Sequence, residues 1–106
     1  MAAFKSFHVV ITLAGTAEQL PESLGGGKIR WLSMQPGVAN VGNIYVGGPG
    51  VSSTSYGTCI PPWASAAAPT PPYIIGEFED GKVEASVFYV IGTAGEKLHI
   101  HGLAFI

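Results

Sequence analysis

Phe7-His-Val-Val-Ile-Thr-Leu13 is the stretch on which the reading of this chain turns. Its residues Phe7, Val9, Ile11 and Leu13 recur at every second position, so they share one face of an extended strand, with His8, Val10 and Thr12 on the other. A helix would need apolar positions three and four apart, which this run does not supply. The first face is expected to meet a core. A lysine ahead of this stretch and small residues after it give the outline of a secretory leader, but His8 and Thr12 interrupt the apolar run, and the alternation suits a strand better.

Working outward, fifteen glycines and eight prolines leave few windows for a helix of three turns, and the apolar residues keep period two, so the chain reads as all-β. Ala14 to Leu24 is the best helical window, yet Pro21 interrupts it and Gly25 to Gly27 end it, which predicts a turn or short irregular stretch. Lys28-Ile-Arg-Trp-Leu-Ser-Met-Gln35 is a second strand with Ile29 and Trp31 on one face and Leu32 and Met34 on the other. Two apolar faces mean either a bulge that switches the register or an outer side covered by a neighbouring chain. Under the second alternative Leu32 and Met34 become interface candidates. Asn43 to Val46 is a third short strand, with Ile44 and Val46 opposite Tyr45, closed by Gly47-Gly-Pro-Gly50 and followed by a turn-forming Val51-Ser-Ser-Thr-Ser55.

Five of the eight prolines fall in Pro61-Pro-Trp-Ala-Ser-Ala-Ala-Ala-Pro-Thr-Pro-Pro72, where missing N–H groups and fixed φ favour an extended loop or arm over a ladder. Trp63, its only large side chain, either folds back on its own domain or anchors a neighbour's. Asp80-Gly81 suits a two-residue turn and predicts a hairpin between Tyr73–Glu79 and Lys82–Ile91, with Glu79 facing Lys82 and an unfavourable Glu77–Glu84 pair. Gly92 to Gly95 makes the next turn, and Leu98, Ile100, Ala104 and Ile106 mark one face of a last strand tied into a sheet. All of this fits one domain over residues 1–106.

Hydrophobic residues make up 47% of the chain and charged ones 11%, against about 25% charged in an average soluble domain. A small domain so short of charge is expected to hide apolar surface against other subunits. Five Lys/Arg against seven Asp/Glu, without a basic cluster, argue against a nucleic-acid partner. No run approaches the roughly 20 apolar residues of a membrane helix. Cys59 is the only cysteine, so no intrachain disulfide forms, which fits assembly in a reducing cytoplasm.

Residues that carry chemistry are few. His99 and His101, spaced i, i+2, leave the same face of the last strand and would bind a metal if His8 or a carboxylate approached. Two ligands do not make a site, and the face continues as Leu103 and Phe105, which favours a solvated or interfacial role. A threefold axis would be the arrangement that gathers copies of one histidine. A Ser-His-Asp arrangement would need Asp80, the only aspartate, which the hairpin turn already explains. No serine lies in Gly-x-Ser-x-Gly, and neither Gly47–Gly50 nor Gly92–Lys97 has Walker spacing or opens a helix. No cofactor and no enzymatic activity are expected. Trp31, Tyr45, Tyr56, Trp63, Tyr73 and Tyr89 would allow a sugar-stacking platform, although core and interface packing is the stronger explanation for aromatics at 10% of the chain.

Val10-Ile-Thr-Leu-Ala-Gly-Thr-Ala-Glu-Gln-Leu20, Ile29-Arg-Trp-Leu-Ser-Met-Gln35, Asn43-Ile-Tyr-Val-Gly-Gly-Pro-Gly-Val-Ser-Ser53 and Ile91-Gly-Thr-Ala-Gly-Glu-Lys-Leu98 together resemble small virion proteins of tailed bacteriophages that decorate or cement the outside of a capsid. The resemblance implies an antiparallel β-sandwich, jelly-roll-like, commonly trimeric, that binds the major capsid protein on the outer shell and strengthens it. It carries over no catalytic residues. Under it the contact elements would be Trp63, Pro61, Pro62, Pro69, Pro71 and Pro72, with Leu32, Met34 and Tyr45. The alternative of another class is a tail-fibre or baseplate module that binds a receptor or glycan through Tyr45 or Trp63.

Overall fold

The computed structural model describes residues 4–20, 29–76 and 87–105. Eight strands follow in order: β1 (Phe4–Thr12), β2 (Glu18–Gln19), β3 (Ile29–Pro36), β4 (Ile44–Gly47), β5 (Thr58–Ile60), β6 (Tyr73–Gly76), β7 (Tyr89–Ile91) and β8 (Lys97–Phe105). They form two four-stranded sheets, β1-β8-β3-β6 and β2-β7-β4-β5, in which every pair is antiparallel. The partners β1:β8, β2:β7, β3:β6 and β4:β5 are those of one long hairpin folded about the β4–β5 connection. Rolling that hairpin adds β8:β3 and β7:β4, which makes the fold a jelly roll, a single β-sandwich domain.

The alternation of the opening strand carries straight into the core. Phe7, Val9 and Ile11 pack against the buried cluster and Leu13 is buried, while His8, Val10 and Thr12 are exposed. Across the sandwich, Ile29, Leu32 and Met34 of β3 and Leu98, Ile100 and Ala104 of β8 meet Ile44, Val46, Ile60 and Val90 of the second sheet. Gly102 interrupts the inward row of β8 because a Cβ there would lie 2.5 Å from the Trp31 carbonyl oxygen and 2.9 Å from Cζ of Phe7. The Phe7 ring occupies the space opposite it, as aromatic residues do across a strand glycine.

The two apolar faces of β3 have a local cause. Its register with β8 steps from Ile29↔Ala104 to Trp31↔Leu103, so Arg30 is the extra residue of a bulge. The bulge turns Ile29 to the same side as Leu32 and Met34 and leaves Trp31 on the outer side. Leu32 and Met34 are 0% exposed, which corrects their assignment as interface residues: they are core. A neighbouring chain is not needed to explain the pattern.

The described part of the Ala14–Leu24 window holds a turn with Gly15 at φ 84° and the two-residue β2, and residues 21–28 lie outside the described part. The Asp80-Gly81 turn and the charged pairs around it also lie outside the described residues. Of its described flanks, β6 pairs with β3 in one sheet while β7 pairs with β2 and β4 in the other, so the chain on either side of the turn goes to different sheets. A turn dipeptide specifies a local reversal; it does not specify which sheet each arm joins.

Candidate interaction surfaces

The outer side of the first sheet collects the side chains that alternation drives away from the core. Register places His8 opposite His101, Val10 opposite His99 and Thr12 opposite Lys97, with Trp31, Ser33 and Gln35 of β3 beyond them and Ile74 of β6 at the edge. None of these positions is a carboxylate. Val10 is 46% exposed and Ile74 65%, so the apolar part of this face is open to solvent.

All three histidines of the chain meet here. His99 Nδ1 lies 3.4 Å from His8 Nε2, with the rings 12° from parallel and their centroids 5.7 Å apart. That centroid distance is accounted for by the nitrogen gap plus the two ring radii, so the imidazoles lie head to head and share a hydrogen bond rather than stacking face to face. A chelated metal needs both lone pairs to converge on a third point, whereas these point at each other. His101 turns away, packing edge-on against Trp31 at 5.3 Å and 85°. Among the described residues no group of three or more His, Cys, Asp or Glu is placed to hold a metal ion. The i, i+2 pair is thus divided between two partners.

The proline-rich segment is pinned to its own domain. Trp63 Nε1 donates to the Pro36 carbonyl at 2.9 Å, Gln35 Nε2 donates to the Thr70 carbonyl at 2.7 Å, and the Thr70 hydroxyl donates to the Pro61 carbonyl at 3.0 Å. Side chains thus close what proline nitrogens cannot. Trp63 and Pro62 are half-buried, while Pro61, Pro69, Pro71 and Pro72 stay exposed on a loop held at both ends. We expect Trp63→Phe to cost about 1 kcal/mol through the lost bond to Pro36. Trp63→Ala, which also removes the ring, should in addition open residues 64–69 to limited proteolysis; unchanged cleavage there would contradict the pinning.

On the second sheet Ile44 and Val46 are buried, so Tyr45 faces outward, half-buried, directly opposite Ile91. The Tyr56 ring packs on Tyr45 at 4.9 Å, and Asn43 Nδ2 lies 3.4 Å from the Tyr45 hydroxyl. An open groove of about 520 Å³ runs beside Tyr45, bounded by Asn43, Ser52, Ser53, Ile91 and Thr93. The β4–β5 loop that borders it is fixed by the Ser52 hydroxyl, which accepts from the Thr54 and Ser55 backbone N–H groups, and by the Ser52–Ser55 bridge. Asn43 and Ser52 were visible in the sequence only as flanks of a glycine-rich strand end, with nothing to join them to Thr93. A smaller cavity of about 300 Å³ lies between Val46, Tyr73, Ile75 and Phe88.

No buried side-chain nitrogen or oxygen among the described residues lacks a partner, so the core aims no polar group at a ligand. Comparison with protein-family models, with curated proteins and with solved structures found no match to this chain.

Proposed function

We propose that this protein is a non-enzymatic structural component of a tailed-bacteriophage virion, a decoration protein that binds the outer capsid surface as a trimer and stabilises the shell. The observation that carries the reading is the outer face of the first sheet, free of carboxylates among the described residues and running from the exposed Val10 to the exposed Ile74. A chain with only 11% charged residues gains by burying such a face, since removing apolar area from water stabilises a contact by about 25 cal/mol per Å². The exposed prolines 61, 69, 71 and 72 extend the contact surface beside β6, and a loop already held in place loses little entropy on docking. Jelly rolls recur among viral capsid and lectin domains, which is an analogy of fold alone.

Sedimentation at micromolar concentration tests the association: the expected mass is three times 11.0 kDa, falling to one subunit in Val10→Asp combined with Ile74→Asp. Co-sedimentation with purified capsids tests the partner. A strictly monomeric protein that binds no capsid would remove the reading. The second reading, a tail-fibre or baseplate receptor module, is favoured by the outward tyrosine pair of the second sheet. Imaging of assembled particles, asking whether the chain lies on the shell or the tail, separates the two.

A further inference from the structure

We propose that the groove beside Tyr45 is a binding site for a neutral saccharide, with one pyranose ring lying on the Tyr45 ring and its hydroxyls meeting the groove walls. The site lies on the opposite sheet from the proposed assembly face, so it does not depend on where in a virion the chain sits.

The chemistry of the lining selects the ligand. Its floor is Tyr45 and Ile91, paired across β4 and β7, and its rim carries the Asn43 amide and the hydroxyls of Ser52, Ser53 and Thr93. No charged side chain lines it. Phosphorylated, sulfated and carboxylated ligands would therefore meet no cation, and a wholly apolar ligand would cover the Ser53 and Thr93 hydroxyls without offering them a partner. A pyranose has what remains: an apolar face of C–H groups and an edge of hydroxyls. The volume of about 520 Å³ lies within the roughly 300–1,000 Å³ of small-molecule sites.

The groove is also built before any ligand arrives. Tyr45 is braced by the Tyr56 ring, its hydroxyl accepts from the Asn43 amide, and the β4–β5 loop is tied through Ser52. Gly42 lets the β3–β4 connection approach the rim, because a Cβ there would lie 2.5 Å from Thr93 Oγ1. Walls fixed in this way reduce the ordering cost of binding.

The test uses the full chain on an array of immobilised neutral and acidic oligosaccharides, followed by calorimetric titration of the best neutral one. We expect retention of neutral oligosaccharides, a loss of about tenfold or more in Tyr45→Ala, and near-normal binding in His99→Ala. If Tyr45→Ala fails to fold, Ser53→Trp, at an exposed rim position, fills the groove and must abolish retention. Failure to retain any neutral saccharide, retention of acidic ones alone, preference for free adenosine, or binding that survives both Tyr45→Ala and Ser53→Trp each overturns the proposal. None of these outcomes touches the sedimentation and capsid tests, so the two readings fail separately.

Discussion

Leu32→Ala should lower the unfolding free energy by about 3 kcal/mol, within the roughly 2–5 kcal/mol measured for leucine truncations in closed cores. Leu32 is 0% exposed, packed in the cluster that joins the two sheets, and its backbone is held on both sides, opposite Gly102 on β8 and Ile75 on β6. Neither neighbouring strand can close the gap without disturbing its other pairings, so the cavity term adds to the lost transfer energy. For a domain of this size the melting temperature should fall by about 4–8 °C for each kcal/mol. The contrast with Val10→Ala is what makes the result informative. Val10 is exposed, so its truncation should change stability by less than about 0.5 kcal/mol while weakening the proposed association. Were Leu32→Ala to leave the melting temperature unchanged and dissociate the proposed oligomer, the bulge at Arg30 would be wrongly placed and Leu32 would belong to an interface.

Asn40→Ala should cost about 2 kcal/mol, a large loss for a residue outside every strand. Asn40 is buried, and its amide works like an extra rung of the sheet: Nδ2 donates to the Lys97 carbonyl at 2.7 Å, and Oδ1 accepts from the Lys97 N–H at 3.0 Å. Alanine removes both of these part-buried hydrogen bonds, each worth about 0.5–1.5 kcal/mol. Asn40→Asp keeps the acceptor but sets a carboxylate against the Lys97 carbonyl, so it should not rescue. Hydrogen exchange supplies the local readout. Amides of residues 38–43 should exchange faster in Asn40→Ala, because the remaining ties of this loop, Glu96 accepting from Val41 and Gly42, are largely at the surface. A variant with wild-type exchange in that loop would show that Asn40 does not hold it.

The elements were legible where side chains alternate without interruption. Phe7 to Leu13 gave its inward and outward faces directly, and Ile44 and Val46 against Tyr45 did the same, because a strand's period of two is set by the backbone itself. At Lys28–Gln35 the pattern revealed its own irregularity, and it narrowed the cause to two, a bulge or a covering chain. Choosing between them needed the neighbouring strand, since a bulge is a mismatch between two strands and has no meaning in one. The hairpin at Asp80-Gly81 lies outside the described residues, and the destinations of its flanks were not legible for a related reason: turn propensity is local, whereas sheet membership is settled by the rolling of the whole chain.

Of the candidate sites, the histidines were visible as a shared face, and what they do there was not. Whether His99 meets His8 or His101 depends on packing across β1, β8 and β3, which divides the pair between an imidazole and Trp31. Trp63 was recognisable as an anchor, with its host undecided until Pro36 proved to be the acceptor. The groove at Tyr45 was least legible, since Asn43, Ser52 and Thr93 come from three separate connections.

By itself, then, the sequence determined that this chain is an all-β domain, poor in charge, with one alternating strand near each end, because composition and period are properties of neighbouring residues. Only the tertiary structure decided that the strands roll into a jelly roll, that Leu32 and Met34 lie inside it, and that Trp63 ties the proline loop to Pro36. Those outcomes rest on contacts between residues far apart in the chain, and the sequence states which groups are available without stating which of them meet.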